Sequence, residues 1–287
     1  MPISLCILWY GFDQKKSNFF WGFFFILSSH YWLLSLHPLT WLGYKWFTSL
    51  IISFSVLFIC SILGGILVSL WGLLGKKFLS TKKLYLYTRF QIFIKVLYLS
   101  CFWALGELIL KQTPFFWIGI SESLIPGDLY LAGLARWFGA SGLCIIQLLI
   151  GFWMFFIYEK WRRQIIFKNL LYLGLACLIS LHFLGYFLIL PEKRFSGYPV
   201  AAWQTNIPTR QKIFIDNKKM LTKVISAQEK ALSKNAKLLI TPEGTLNSAF
   251  SMSTPSLIDT LAGGFRTTKD DLRSSLLFFK KGDKNYS

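Results

Sequence analysis

Hydrophobic residues dominate long blocks through the first two thirds of the chain, and charged residues fall mostly in the gaps between them. Five blocks stand out, at about 18–35, 48–74, 90–110, 137–158 and 169–190. Each is about as long as a helix needs to cross roughly 30 Å of hydrocarbon. Charges gather at or near their ends, where lipid tolerates them. The pattern predicts a domain of about five transmembrane helices over residues 1–190. The opening MPISLCILWYGF has no basic start and only a short apolar run, so it reads as a remnant of another span rather than a cleavable targeting segment.

After Leu190 the pattern changes abruptly, and PEKRFSGYP leads into a stretch with soluble character, residues 191–287. Val200 to Gln204 (VAAWQ) reads as a short buried strand, followed by the turn-rich TNIPT. From about Arg210 to Ser233 the pattern becomes helical. Met220, Val224, Ala227 and Ala231 recur at steps of four and three, with Leu221, Ile225 and Leu232 widening the same face. AKLLI at 236–240 is then a second apolar strand. Strand, helix, strand in this order is a βαβ unit, which favours a parallel pair in an α/β layer. The expected fold is a polytopic α-helical membrane domain, 1–190, followed by an α/β domain, 191–287.

Composition narrows the class. A chain of 287 residues that is 54% hydrophobic and 18% aromatic is too apolar for an ordinary soluble domain. The net charge of +18 could suggest nucleic acid, but its distribution points elsewhere. Lys15, Lys16, Lys76, Lys77, Lys82, Lys83, Arg89, Lys160, Arg162, Arg163 and Lys168 fall in alternate short loops, against Lys45, Lys111 and Arg136 in the others. By the positive-inside rule the loops near 15, 80 and 163 face the cytoplasm, and those near 40 and 120 face outward. Five crossings would then leave everything after Pro191 outside. The basic balance is thereby topology plus attraction to anionic lipid, and nucleic acid is not expected as a partner.

Few side chains carry candidate chemistry. Glu243 follows the AKLLI strand within TPEG, at the carboxyl edge where α/β proteins place their sites, and Pro242 and Gly244 shape the bend that presents it. Taken alone, such an acid also reads as a solvated turn residue. Glu107 is an ionisable residue near the outer end of the third block, either lining a lipid or peptide groove as a substrate-binding group or pairing with Lys111 one turn on. His30, His37 and His182 are too scattered for a metal site and read as interfacial packing or lone hydrogen bonds. Trp32, Trp41, Trp46, Trp103, Trp117 and Trp137 fit an aromatic belt. PFFWIGI, within the loop from Thr113 to Asp128, is too short to span but apolar enough to dip into the bilayer and touch acyl chains. Cys6, Cys60, Cys101, Cys144 and Cys177 all lie in or beside apolar blocks, without metal or disulfide spacing, and read as small buried hydrophobes. No metal and no cofactor is called for.

VAAWQTNIP at 200–208, a long helix ending near AQEKAL, and AKLLITPEG at 236–244 together resemble the opening of a nitrilase-type carbon–nitrogen hydrolase domain. With a multi-span domain in front, the order resembles the bacterial apolipoprotein N-acyltransferase family. HYWLLSLHPLTWLGY at 30–44, CFWALGELIL followed by PFFWIGIS, and GLARWFGASGL at 133–143 are similar to that family's membrane segments. The resemblance implies a nitrilase-like αββα domain in which Glu243 is the general base of a Glu-Lys-Cys triad. A cysteine thiolate takes an acyl chain from a phospholipid donor and passes it to the amine of a diacylglyceryl-cysteine lipoprotein acceptor. It also implies a multi-pass protein of the bacterial inner membrane with its second domain on the periplasmic side.

The sequence departs from the family in one respect. Residues 191–287 contain no cysteine. DLRSSLLFFKKGDKNYS is similar to the strand and hairpin turn that precede the family's Tyr-x-Lys segment, so Lys280, Lys281 and Lys284 fall in a solvated strand end and turn. Only the Glu of the triad is thus expected in this chain, the α/β domain is expected to be partial, and the family has two further spans before the first one here. A truncated chain, with a separately encoded C-terminal half as a partner, fits these departures. A non-catalytic relative that binds lipid or lipoprotein is the alternative, and another membrane-tethered nitrilase-type amidase is a third.

Overall fold

A computed structural model gives the fold and describes residues 1–112, 119–189, 197–207, 215–246, 254–267 and 272–285. The chain forms two compact units, Met1–Leu190 and Pro191–Ser287.

The first unit is helical. Its α-helices are α1 (Pro2–Tyr10), α2 (Lys15–Ser29), α3 (Trp46–Gly75), α4 (Arg89–Leu110), α5 (Leu129–Ala132), α6 (Ala135–Arg162) and α7 (Lys168–Ile189). Four of them, α3, α4, α6 and α7, are long and apolar enough to cross a membrane. A helix closes every backbone hydrogen bond within itself, which is what a medium without water demands. The block at 18–35 is built from two shorter pieces. There α2 stops at Ser29 after 15 residues, about 22 Å, and the chain continues as a 3-10 helix, Tyr31–Leu36. The hydroxyls of Ser28 and Ser29 turn back onto the carbonyls of Phe25 and Ile26 at 3.0 and 3.3 Å, competition that weakens a helix end. The opening segment is the nine-residue α1, too short to cross. It instead buries Leu5, Leu8 and Trp9, and the Trp9 indole donates to the Leu148 carbonyl of α6 at 3.0 Å.

Glycines let these helices approach closely. A Cβ on Gly22 of α2 would lie 2.5 Å from the Gly64 carbonyl of α3, so this contact requires the absence of a side chain, as at small-residue interfaces in lipid. Aromatic rings fill the centre, with Trp9 edge-on to Trp71 and Phe152 at 5.4 and 5.2 Å between centroids. Helix α4 starts on a capping box in which Gln91 N–H donates to Thr88 Oγ1 at 3.2 Å and Thr88 N–H to Gln91 Oε1 at 3.0 Å.

The basic loops meet at one end of the unit. Asp13, between α1 and α2, accepts from Ser80 Oγ at 3.0 Å, Thr81 N–H at 3.3 Å and Lys82 N–H at 3.0 Å. Asp13, Thr81 and Lys82 line one small cavity with Glu159, Arg162 and Arg163, and Glu159 pairs with both arginines at 3.0 Å. At the opposite end α7 packs against α5, where a Cβ on Gly133 would strike the Gly185 carbonyl. There Arg136 donates to the Leu188 carbonyl at 3.3 Å. The chain therefore leaves the helical unit at the end away from its basic loops.

The second unit is a small sheet with one helix on it. Strands β1 (Val200–Ala202), β2 (Leu238–Ile240), β3 (Asp259–Thr267) and β4 (Leu272–Phe279) lie in the order β1-β2-β3-β4. The first two pairings are parallel and β3–β4 is antiparallel. Helix α8 (Asn217–Ser233) is the crossover between β1 and β2, as the βαβ reading requires. Its Met220, Val224, Ala227 and Ala231 are buried together with Leu239, Leu246, Ala262, Leu277 and Phe279 of the sheet side. Strand β3 was not anticipated. Its sequence DTLAGGFRT carries two glycines, which strands disfavour.

Candidate functional site

Glu243 is placed by a detour of the chain between two strands. After β2, Thr241 N–H still reaches the Leu261 carbonyl of β3 at 2.9 Å. Pro242, Glu243 and Gly244 then rise out of the ladder, and the chain returns to β3 where Thr245 and Leu246 N–H donate to the Gly263 carbonyl at 2.9 and 3.1 Å. Gly244 sits in the left-handed region at φ 63°, which an L side chain rarely adopts. Thr245 Oγ1 closes the turn on the Pro242 carbonyl at 2.6 Å. The turn rests directly on Gly263, where a Cβ would meet Glu243 Cα and the Pro242 carbonyl at 2.5 Å.

The result is a carboxylate at the carboxyl end of a strand that is parallel to both neighbours. Ser274 of β4 donates to Glu243 Oε1 at 2.7 Å, short enough for a charge-assisted bond that fixes the orientation of the carboxylate. Beneath the turn, the Thr241 hydroxyl is buried without a hydrogen-bond partner among the described residues. Lys280, Lys281 and Lys284 are exposed beyond the far end of β4, next to the start of β3, because Thr260 pairs with Phe279 while Phe265 pairs with Ser274. Sequence reasoning singled out Glu243 and did not single out Ser274 or Gly263, which the structure places against it. The signal for Gly263 was present, since a glycine inside a strand pattern marks a close backbone approach.

Glu107 holds a second polar cluster, inside the helical unit. It is 6% exposed and accepts from Trp103 Nε1 at 3.0 Å and from Ile120 N–H at 2.8 Å, both on Oε1. Lys111 reaches over to Glu122 rather than back to Glu107. Glu122 also accepts from Gly119 N–H at 2.9 Å and Ser121 Oγ at 2.7 Å. Burial pushes its carboxyl up, but the hydrogen bonds from Lys111 and Ser121 outweigh this and hold it below the usual carboxylate range. From α6, Gln147 Nε2 donates to the Ile120 carbonyl at 3.0 Å. Both backbone groups of Ile120 are thus held by side chains of long helices. This cluster locks the segment that follows residues 113–118, and PFFWI of the apolar loop lies in that stretch, outside the described residues.

The other sequence candidates are dispersed. His182 Nε2 pairs with Asp128 Oδ2 at 2.9 Å and His37 Nδ1 with Ser49 Oγ at 2.9 Å, each a single side-chain partner. No group of three metal-binding side chains occurs among the described residues. Cys144 is buried, and Cys101 and Cys177 face outward from their helices, positions suited to small apolar groups in lipid. The side chain of Trp41 and all of Trp117 lie outside the described residues.

A helical, membrane-spanning unit followed by a small mixed sheet that presents one acid at the carboxyl edge of its parallel part defines the class of protein. Comparison with known proteins gives its relatives. No family profile matches the chain. It is 60% identical over 287 residues to the apolipoprotein N-acyltransferase of Prochlorococcus marinus subsp. pastoris (strain CCMP1986 / NIES-2087 / MED4), covering 100% of this chain and 58% of that protein. A protein of the same name from Prochlorococcus marinus strain MIT 9313 is 37% identical over 100% of the chain and 58% of the relative. Another, from Parasynechococcus marenigrum strain WH8102, is 34% identical over 96% of the chain and 57% of the relative. The chain is a relative of the apolipoprotein N-acyltransferases and spans somewhat more than half the length of these three.

Proposed function

We propose that this chain carries the membrane-embedded portion and the opening of the catalytic layer of an N-acyltransferase acting on lipoproteins. The observation that carries this reading is Glu243, held on a left-handed turn over Gly263 at the carboxyl edge of β2, within a chain 60% identical to a protein named for that activity. In this reading the sheet is the first part of a nitrilase-like layer, and Glu243 is the general base. It takes the proton of a cysteine thiol, which attacks the ester carbonyl of a phospholipid, and returns that proton to the departing ester oxygen, leaving an acyl thioester and a lysophospholipid. It then takes a proton from the free amine of a diacylglyceryl-cysteine, which attacks the thioester to form an amide and release the thiol. The thiol and the lysine that would hold the oxyanion belong to the remainder of such a protein.

Topology follows from the same reading. The end that gathers Asp13, Lys82, Arg162 and Arg163 faces the cytoplasm, by the bias of basic loops. Helix α7 then delivers the second unit to the periplasmic side of a bacterial inner membrane, where lipoprotein acceptors meet the outer leaflet. Glu107 and the segment it anchors lie at this same outward end of α4.

The test is acyl transfer. The chain would be co-expressed with the complementary segment of the 60% identical relative, given phospholipid and a diacylglyceryl lipopeptide, and N-acylation followed by mass spectrometry. Product that disappears in Glu243→Gln supports the reading. Product that survives the substitution refutes Glu243 as the base, and its absence from a folded, reconstituted pair refutes the activity.

A further inference from the structure

A wedge between α4, α6 and α7 takes no part in either cluster described above. Only Gly185 of α7 is buried, so this helix stands off from its neighbours along most of its length. Near its start it is tied down by Trp153 of α6, whose Nε1 donates to the Leu170 carbonyl at 3.1 Å. The Trp153 ring also covers Gly174 so closely that a Cβ there would collide with it. Beside that tie lies a cavity of about 340 Å³, within the roughly 300–1,000 Å³ typical of small-ligand sites.

The chemistry of its walls is one-sided. Ile92, Phe93, Phe156, Leu173 and Cys177 are apolar, and the only charged lining residue is Arg89, at the start of α4. Arg89 is exposed, and its side chain makes no hydrogen bond or ion pair among the described residues. The acids near this end are occupied elsewhere, Asp13 by the 80–82 loop and Glu159 by Arg162 and Arg163. An uncompensated guanidinium therefore stands at the mouth of a hydrocarbon-lined slot, at the end of the unit where the basic loops gather.

We propose that this wedge binds an anionic phospholipid, with one acyl chain in the slot and the lipid phosphate on Arg89. Water could not fill the slot stably, since an ordered water needs two to four polar partners. An alkyl chain matches the walls, and a guanidinium offers a phosphate paired donors in a fixed fork. The surrounding cations favour a headgroup without a compensating positive charge. The bound lipid is a structural ligand at the opposite end of the helical unit from the exit of α7, and is not the acyl donor of the proposed reaction.

The full chain, purified in mild detergent, would be titrated with phosphatidylglycerol and with phosphatidylcholine of the same acyl chains, and retained lipid counted by native mass spectrometry. Phosphatidylglycerol is expected to be held about tenfold more tightly. Arg89→Gln should erase that preference, while Lys83→Gln, at the same end but outside the slot, should preserve it. Cys177→Trp, or the milder Leu173→Phe, should lower retention of both lipids in protein that still unfolds cooperatively. Excess inorganic phosphate should not displace phosphatidylglycerol. Equal retention of the two lipids by the unaltered chain, a preference that survives Arg89→Gln, or displacement by free phosphate would each overturn the assignment.

Discussion

Glu243 lies on Gly263 so closely that a single methyl group cannot be added between them, because a Cβ on Gly263 would fall 2.5 Å from Glu243 Cα. The neighbour it would strike is backbone, which cannot swing aside as a side-chain tip can. Gly263→Ala should therefore push the Pro242–Gly244 turn off β3, at a cost of about 1–3 kcal/mol. Hydrogen exchange reads this directly. The amides of Thr245 and Leu246, which bond to the Gly263 carbonyl, should exchange faster in the variant, and unchanged exchange would show that the turn adapts.

Ser274 orients the carboxylate that Gly263 supports. Its hydroxyl is 2.7 Å from Glu243 Oε1, so Ser274→Ala loosens the side chain without removing it. In the reconstituted enzyme, kcat should fall about tenfold, or about 1.4 kcal/mol, with KM little changed. Ser274→Thr, which keeps the hydroxyl, should recover most of the rate. A KM effect alone would place Ser274 in substrate binding instead.

Glu107 should matter to stability more than its apparent helical partner. Glu107→Ala leaves the buried Ile120 N–H without its acceptor, at a cost of about 1–3 kcal/mol. Lys111→Ala removes a partly exposed ion pair with Glu122, and surface pairs of this kind contribute about 0–1 kcal/mol. Thermal unfolding of the chain in detergent should show the larger drop for Glu107→Ala and an intermediate one for Glu107→Gln, which retains a carbonyl acceptor.

The proposed topology is open to a direct reporter. Alkaline phosphatase, active only after export, should be active when fused after Ile189 at the end of α7 and inactive when fused after Leu86 or Gln164, in two of the basic loops. The opposite pattern would invert the assignment of sides while leaving the fold untouched.

Much of this architecture is legible in one sequence because lipid enforces it. Long apolar blocks must become helices, and four of the five became helices long enough to span. In the block at 18–35 the α-helix is shorter: α2 ends at Ser29 and the chain runs on as the 3-10 helix Tyr31–Leu36. The buried face of α8 was also readable, since Met220, Val224, Ala227 and Ala231 keep a helical period. Gln228 on that same face was not. It is fully buried and donates to Ser256 Oγ and Thr260 Oγ1 at 2.8 Å, a role set by the start of β3 and the residues just before it, distant in sequence. Lys111, four residues after Glu107, pairs with Glu122 of the returning segment, because a tertiary partner outcompeted the local one.

Glu122 gives the outward end of α4 a dependence on pH. Burial raises its carboxyl, but the hydrogen bonds of Lys111 and Ser121 prevail, so its folded-state pKa lies below the unfolded value. A group depressed in this way contributes its stability fully above the unfolded carboxylate range, about pH 4.3, and loses it as pH falls through the folded pKa. Hydrogen exchange of the 119–125 segment should therefore show constant protection between about pH 7 and 5, corrected for intrinsic rates, and declining protection only below the ordinary carboxylate range. Glu122→Gln should lower protection at neutral pH and flatten the acid decline. If protection in the unaltered chain falls already between about pH 7 and 5, a group other than Glu122 holds the segment.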